Sequence, residues 1–277
     1  MDTNVYRREI EAWHAARVER LQRPDGWLSL VGLAWLQPGV NRVGSAGDND
    51  IVLVKAPAHL GTLVWHADGT LELDCIDRAG VTVDGAAAAA VRLRDDRDGA
   101  ASVVAFGTVS FIVIDRSGRK ALRVRDTEAP TRTGFAGIER FPVDPAWRIV
   151  AEWLPLDPPY RLTTGTVVGT VEAYPAPGKA VFEHAGQRFG VYPVFETPNA
   201  RELFLMFGDA TSGRQTHGAA RFLYVDPPRD GKVVLDFNRA YNPPCAFTDY
   251  ATCPLAPPEN KLALAVTAGE LKYRAHA

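Results

Sequence analysis

The chain has 277 residues, 31 Lys+Arg against 33 Asp+Glu, and 46% hydrophobic residues. This length allows one large domain or two ordinary ones, and the composition is that of a globular protein rather than a disordered one. The balanced charge argues against binding to nucleic acid or an anionic membrane, and no apolar run approaches the roughly 18 residues that span a bilayer. With three cysteines and no apolar N-terminal segment, the sequence predicts a cytoplasmic protein with reduced thiols.

The N-terminal segment carries the pattern of an amphipathic helix. It begins with residues that favour N-capping, namely Asp2, Thr3 and Asn4. Its apolar positions form a stripe made of Val5, Ile10, Trp13 and Leu21. A turn at residues 23–26 ends the pattern. We therefore predict a helix over about residues 3–21, and a first segment, 1–26, that consists of this helix and its turn.

Beyond residue 26 the sequence changes to short β-branched and aromatic runs separated by turn residues, with a spacing of about 8–12 residues. Residues 67–70 predict a hairpin turn, and the alanine run 86–90 predicts a strand or loop edge. Residues 126–147 resemble a linker or a crossing segment. In the second half, strands are predicted at 147–153, 166–171, 180–183, 188–194, 202–207 and 232–237. We predict a mostly β protein with a sandwich over 27–126 and a second β-barrel or sandwich domain over 127–277.

The first β region has a recognisable order of strands and turns. The relevant segments are Gly39–Ser45, Asn49–Leu53, Gly61–Leu63, Val83–Gly85 and Phe106–Phe111. This order resembles the forkhead-associated sandwich, a family that binds phosphothreonine peptides. Ser45 stands where that family has an arginine, and His59 lacks the family's Ser-x-x-His spacing. Because phosphate capture needs a fixed cation, we expect the scaffold without phosphopeptide binding.

The most informative part of the sequence is the second β region, where polar side chains crowd among aromatics and prolines. Asp236 and Asn238 are two residues apart, so on a strand they would share a face. The candidate catalytic residues are Asp236 and His217 as bases and Arg221 as a stabiliser of negative charge. The candidate ligand-binding residues are Asp209, Thr211, Asn238, Tyr241 and Asn242.

The cysteines leave several interpretations open. Cys245 and Cys253 are separated by seven residues, whereas zinc sites usually pair cysteines more closely, so no metal site is predicted. A nucleophilic cysteine would need a base such as His217, and the alternative is a pair of buried thiols. The chain carries neither a dinucleotide-binding nor a phosphate-binding loop motif, and no cofactor is predicted.

One long motif points to a family. Residues 236–248 read Asp-Phe-Asn-Arg-Ala-Tyr-Asn-Pro-Pro-Cys-Ala-Phe-Thr, and residues 250–255 read Tyr-Ala-Thr-Cys-Pro-Leu. Together with residues 25–36 and 268–270, they resemble the bacterial family called domain of unknown function 1684. The resemblance implies no reaction and no catalytic residue. At His217 the chain departs from relatives, which tend to carry tyrosine there.

Two functional hypotheses follow. In the first, the C-terminal β domain binds a small polar molecule in a pocket, and cofactor-independent hydrolysis is the reaction that demands least of the residues present. In the alternative, the chain is a non-catalytic interaction or scaffold module whose forkhead-associated-like sandwich holds a protein partner.

Overall fold

The computed structural model describes residues 2–76, 80–87, 89–97 and 99–273, and the fold is mostly β, as predicted. The chain divides into two compact units. We call Gln22–Gly134 the sandwich unit, and Met1–Leu21 together with Phe135–Ala277 the C-terminal unit. The domain boundaries at residues 26 and 126 stay predictions.

The N-terminal helix is confirmed as α1, Thr3–Gln22. Its buried side chains are Tyr6, Ile10 and Leu21. Val5, which the sequence pattern assigned to the apolar stripe, is exposed, because Tyr6 and Ile10 lie one turn apart and define a face that Val5 does not share. Among the described residues, no helix combines the length and the apolar character needed to cross a membrane.

The sandwich unit consists of two sheets. Its strands are β1 Leu30–Trp35, β2 Gly39–Gly44, β3 Ile51–Val52, β4 Gly61–Trp65, β5 Leu71–Cys75, β6 Val81–Val83, β7 Ala86–Ala87, β8 Ala90–Leu93, β9 Val104–Phe106, β10 Val109–Arg116 and β11 Arg119–Asp126. One sheet has the order β1-β11-β10-β9-β6-β7 and the other β3-β2-β4-β5-β8. Both sheets contribute to a single apolar core that includes Val43, Leu63, Phe111 and Leu122, so they pack face to face. A short helix, α2 Pro130–Thr133, follows.

Two local predictions in the sandwich unit agree with the structure. The turn at residues 67–70 joins β4 to β5: the backbone N–H of His66 donates to the carbonyl oxygen of Thr70 over 2.9 Å, and Gly69 has a φ of 87°, a left-handed conformation that favours glycine. The alanine run supplies β7 and the first residue of β8. Position 88 of that run lies outside the described residues.

The C-terminal unit is built around an antiparallel sheet. Its strands are β12 Arg148–Gly165, β13 Val171–His184, β14 Gln187–Val191, β15 Leu203–Phe207, β16 Arg221–Val225 and β17 Lys232–Asp236. The sheet has the order β14-β13-β12-β17, and β15 and β16 form a separate antiparallel pair. A core rich in aromatic rings joins the pair to the sheet, with Trp147, Phe182, Phe207 and Phe237 among its members.

The strand predicted at residues 166–171 is wrong, because most of this segment is the turn between β12 and β13. The backbone N–H of Thr166 donates to the carbonyl of Thr170 over 2.8 Å, and Gly169 has a φ of 78°. The two flanking strands contain the strands predicted at 147–153 (from residue 148) and 180–183 but are much longer than predicted, because prolines interrupt the apolar pattern along the rest of their length. The β12–β13 pairing register shifts between Pro155 and Tyr160, where the sequence has Pro158 and Pro159.

Candidate functional site

All eight predicted site residues lie in the C-terminal unit, but they form four groups rather than one site. The groups are Asp209 with Thr211 and Arg221, Asp236 with Asn238, Tyr241 with Asn242, and His217 with Cys245. In the part of the chain that the structure describes, no hydrogen bond or ion pair joins Asp236 to His217 or to Arg221. The four groups are therefore separate, and each has its own chemistry.

Arg221 and Asp209 form a completely buried ion pair, with side-chain exposures of 0% for both. Strand pairing sets Arg221 opposite Phe207, and the guanidinium lies over the Phe207 ring at 4.9 Å. Arg221 also donates to the carbonyl oxygens of Ala268 over 2.5 Å and Val266 over 2.9 Å. Burial lowers the pKa of Arg221, and the carboxylate of Asp209 opposes that shift. The guanidinium is thus committed to partners inside the protein.

The second carboxylate oxygen of Asp209 organises the glycine-rich turn that follows β15. It accepts hydrogen bonds from the backbone N–H of Thr211 over 2.6 Å and from the Thr211 hydroxyl over 2.5 Å. The hydroxyls of Thr211 and Thr216 are 2.8 Å apart, and Gly213 has a φ of 80°. The turn is therefore closed by its own side chains, and it leads directly into His217.

Asp236 and Asn238 connect the end of β17 to the N-terminal helix. Asp236 Oδ1 accepts from the Tyr6 hydroxyl over 2.7 Å and from the backbone N–H of Asn238 over 3.2 Å. The Asn238 amide donates to the Tyr6 oxygen over 3.0 Å and to the carbonyl of Asp144 over 2.8 Å. Burial raises the pKa of Tyr6, and the hydrogen bond to Asp236 adds to the shift. These polar groups satisfy one another.

Tyr241 and Asn242 lie against Arg17 of the same helix. The backbone N–H of Asn242 donates to Glu270 Oε2 over 2.7 Å, and its side-chain amide donates to the carbonyl of Leu271 over 2.7 Å. Arg17 pairs with Glu270 at 2.6 Å and lies over the Tyr241 ring at 4.4 Å. No pattern in the sequence predicts this contact, because Arg17 and Glu270 are more than 200 residues apart.

His217 lies beside Cys245, and Cys245 in turn contacts Cys253. The Cys245 Sγ lies 3.5 Å from His217 Nε2, and the backbone N–H of Cys245 donates to Cys253 Sγ over 3.3 Å. Cys245 sits in a 3-10 turn, Pro244–Ala246, and is half-buried, whereas Cys253 is buried. The hydrogen bond from Cys253 and the nearby His217 lower the pKa of Cys245 to about 5, against the opposing effect of burial.

The C-terminal unit also contains an open cleft of about 420 Å³. Its lining residues are Gly208, Asp209, Ser212, Gly218, Ala219, Leu255, Ala256, Lys261 and Leu262. A Cβ added at Gly208 would lie 3.4 Å from the Ala256 Cβ, so a side chain at position 208 would narrow the cleft. Asp209 is the one predicted site residue in this lining, and Arg221 already neutralises its carboxylate.

Sequence reasoning missed the polar groups that border this cleft. Ser212 and Lys261 lie about fifty residues apart in loops without periodic patterning. Their segments are brought together by the backbone bridge between Gly208 and Lys261 and by the hydrogen bond from the Ala210 N–H to the Leu264 carbonyl. Cys245 had a detectable signal, since two prolines directly precede it and stiffen the loop that carries it.

Comparison with known proteins identifies the family. The solution NMR structure of an uncharacterized protein from Haloarcula marismortui is 33% identical over 50% of this chain and 78% of that one, with a TM-score of 0.43. No curated protein matches the chain. Residues 133–271 match the family described as "Protein of unknown function (DUF1684)". This match confirms the family that the sequence predicted, and the chain belongs to it.

Proposed function

We propose that the C-terminal unit binds a small polar molecule carrying an anionic group in the cleft between Gly208 and Leu262. The observation that carries this proposal is the charge on the cleft wall. Lys261 lines the cleft, and among the described residues it forms no ion pair. Since Arg221 neutralises Asp209, a cation without a protein counter-ion remains beside the cleft.

The size and the polar groups of the cleft fit such a ligand. Small-molecule sites have volumes of roughly 300–1,000 Å³ and orient their ligands through few polar groups, and this cleft has about 420 Å³. Ser212 adds a hydroxyl whose oxygen accepts from the backbone N–H of Asp209 over 3.0 Å, so the hydroxyl hydrogen points elsewhere. An ammonium and a hydroxyl donor together suit a carboxylate or a phosphate group.

Within this proposal, the predicted residues Asp209, Thr211 and Arg221 hold the cleft wall in shape instead of contacting the ligand. The Asp209 carboxylate, the Thr211 hydroxyl and two of the three guanidinium nitrogens of Arg221 already bond to one another and to backbone carbonyls. The buried Arg221 Nε has no hydrogen-bond partner among the described residues. Asn238, Tyr241 and Asn242 play the same supporting part near the N-terminal helix.

The test is a binding screen with inorganic phosphate and a panel of small carboxylates and phosphate esters. A ligand of the native state at about 100 times its Kd adds about 2.7 kcal/mol to the free energy of unfolding, which thermal denaturation detects. Lys261→Gln removes a charged hydrogen bond worth about 1.5–3 kcal/mol, so we expect affinity to fall by roughly 10- to 100-fold. Mass spectrometry of the bound compound shows whether it is also hydrolysed.

Lys232→Gln provides the matched control, because Lys232 is an exposed lysine of β17 in the same unit and does not line the cleft. It should leave the affinity unchanged. The proposal is wrong if no member of the panel stabilises the protein, or if Lys261→Gln binds as tightly as the unmodified chain.

A further inference from the structure

The second chemically distinctive place in the C-terminal unit is the cluster of Cys245, Cys253 and His217. The imidazole Nε2 lies 3.5 Å from the Cys245 sulfur. The backbone N–H of Cys245 donates to the Cys253 sulfur over 3.3 Å. The cluster thus brings an imidazole to the Cys245 sulfur and a second sulfur to the Cys245 backbone.

The surroundings of Cys245 favour its thiolate. A negative charge on its sulfur is stabilised by the hydrogen bond from Cys253 and by the neighbouring imidazole. A thiolate, not a thiol, is the nucleophile in cysteine chemistry. The ordinary pKa of a free cysteine is about 8.5, and the lowered pKa of Cys245 keeps the nucleophilic form populated in neutral solution.

The two cysteines differ in access. Cys245 is half-buried, whereas Cys253 is buried, with 5% of the residue's surface exposed. An external reagent therefore meets Cys245 first. Cys253 lies inside the protein beside Cys245. This is the arrangement of an attacking thiol, here Cys245, and a resolving thiol, here Cys253.

We propose that Cys245 and Cys253 form a dithiol site that reduces external disulfides of small thiols. The Cys245 thiolate attacks one sulfur of a disulfide R–S–S–R, a Cys245–S–S–R bond forms, and the first R–S⁻ leaves. The Cys253 thiol then loses its proton to solvent and attacks the Cys245 sulfur. An internal Cys245–Cys253 disulfide forms, the second R–S⁻ leaves, and the two released thiolates take up the two protons that the cysteines lost.

The presence of Cys253 is what favours disulfide exchange over acyl transfer. In a site that hydrolyses an acyl intermediate, a group beside the nucleophile must position water, whereas here the neighbour of Cys245 is a second cysteine whose sulfur accepts from the Cys245 backbone N–H. Among the described residues no group of three or more side chains is arranged to hold a metal ion. The cluster is separate from the proposed anion cleft, since none of its three residues lines that cleft.

The test uses the reduced full chain with Cys75→Ser, which leaves only the two cysteines of the cluster, and glutathione disulfide as the probe. After quenching with iodoacetamide, intact mass and peptide mapping identify the products. We expect an internal Cys245–Cys253 disulfide in this chain, a trapped glutathionyl group on Cys245 when Cys253→Ser is added, and neither product when Cys245→Ser is added. His217→Gln should slow formation of the mixed disulfide by roughly 10-fold near pH 6.5.

The proposal is overturned if the two-cysteine chain accumulates the mixed disulfide to the same extent as the Cys253→Ser variant, because Cys253 then resolves nothing. It is also overturned if the purified protein holds zinc on these cysteines and exchanges with the probe only after chelation. Peptide mapping of the unmodified chain gives the same readout without any substitution, so a variant that fails to fold does not leave the question open.

Discussion

The ion pair of Asp209 and Arg221 and the cluster of Cys245 and His217 both adjoin the glycine-rich turn after β15 but have opposite physical character. In the first, both side chains are fully buried and the guanidinium is shared among a carboxylate and two carbonyl groups. In the second, a half-buried sulfur faces an imidazole at 3.5 Å, a distance at which the contact is weak and the sulfur can still react. Buried polar groups that are bound to one another hold a fold, whereas a half-buried thiol beside an imidazole is available for chemistry.

Breaking the buried pair is expected to have the largest effect. Arg221→Met leaves the Asp209 carboxylate buried without its counter-ion, which costs about 3–5 kcal/mol of unfolding free energy. Urea denaturation followed by circular dichroism measures this loss. Adding Asp209→Leu should recover part of it, because the double variant no longer buries an uncompensated charge.

The control for that prediction is an exposed ion pair in the same unit. Arg188 and Glu152 are 3.2 Å apart with side-chain exposures of 63% and 56%. Arg188→Met should therefore change the unfolding free energy by no more than about 1 kcal/mol. If Arg221→Met were as mild as Arg188→Met, the buried pair would not be the structural support described above.

A smaller loss is expected at Asp236. Asp236→Ala removes the acceptor of the buried Tyr6 hydroxyl, and an unsatisfied buried donor costs about 1–3 kcal/mol. Tyr6→Phe removes the other partner of the same hydrogen bond, so the double variant should lose less than the sum of the single losses. Thermal denaturation of the four chains measures this cycle, and strictly additive losses would show that Tyr6 and Asp236 are not coupled.

The sequence predicted the elements whose signal is local. The apolar spacing of α1 and the Asp-Gly turn between β4 and β5 were sufficient to locate both. The β12–β13 hairpin was not predictable in the same way, because prolines break its alternation and its register shifts between Pro155 and Tyr160. The hairpin is held together by backbone pairing between β12 and β13, and the alternation of apolar and polar residues does not mark it.

The candidate site shows the same division between local and long-range information. Each polar residue could be selected from the motif, but its partner could not. Tyr6 reaches Asp236 across 230 residues, and His217 reaches Cys245 across 28 residues of loop and strand. Such contacts depend on how strands and loops pack in three dimensions, and a single sequence carries no periodic signal for them.

The central claim, that the structure maintains Cys245 as a reactive thiolate, is tested most directly by the pH dependence of its alkylation. The rate of iodoacetamide modification at Cys245, followed by mass spectrometry of the Cys75→Ser chain, should reach half its maximum well below the value of about 8.5 for a free thiol. His217→Gln should move that midpoint upward, because the imidazole beside the sulfur lowers the pKa of Cys245. A midpoint at or above about 8.5 in the folded protein, equal to that of the urea-unfolded chain, would contradict the claim.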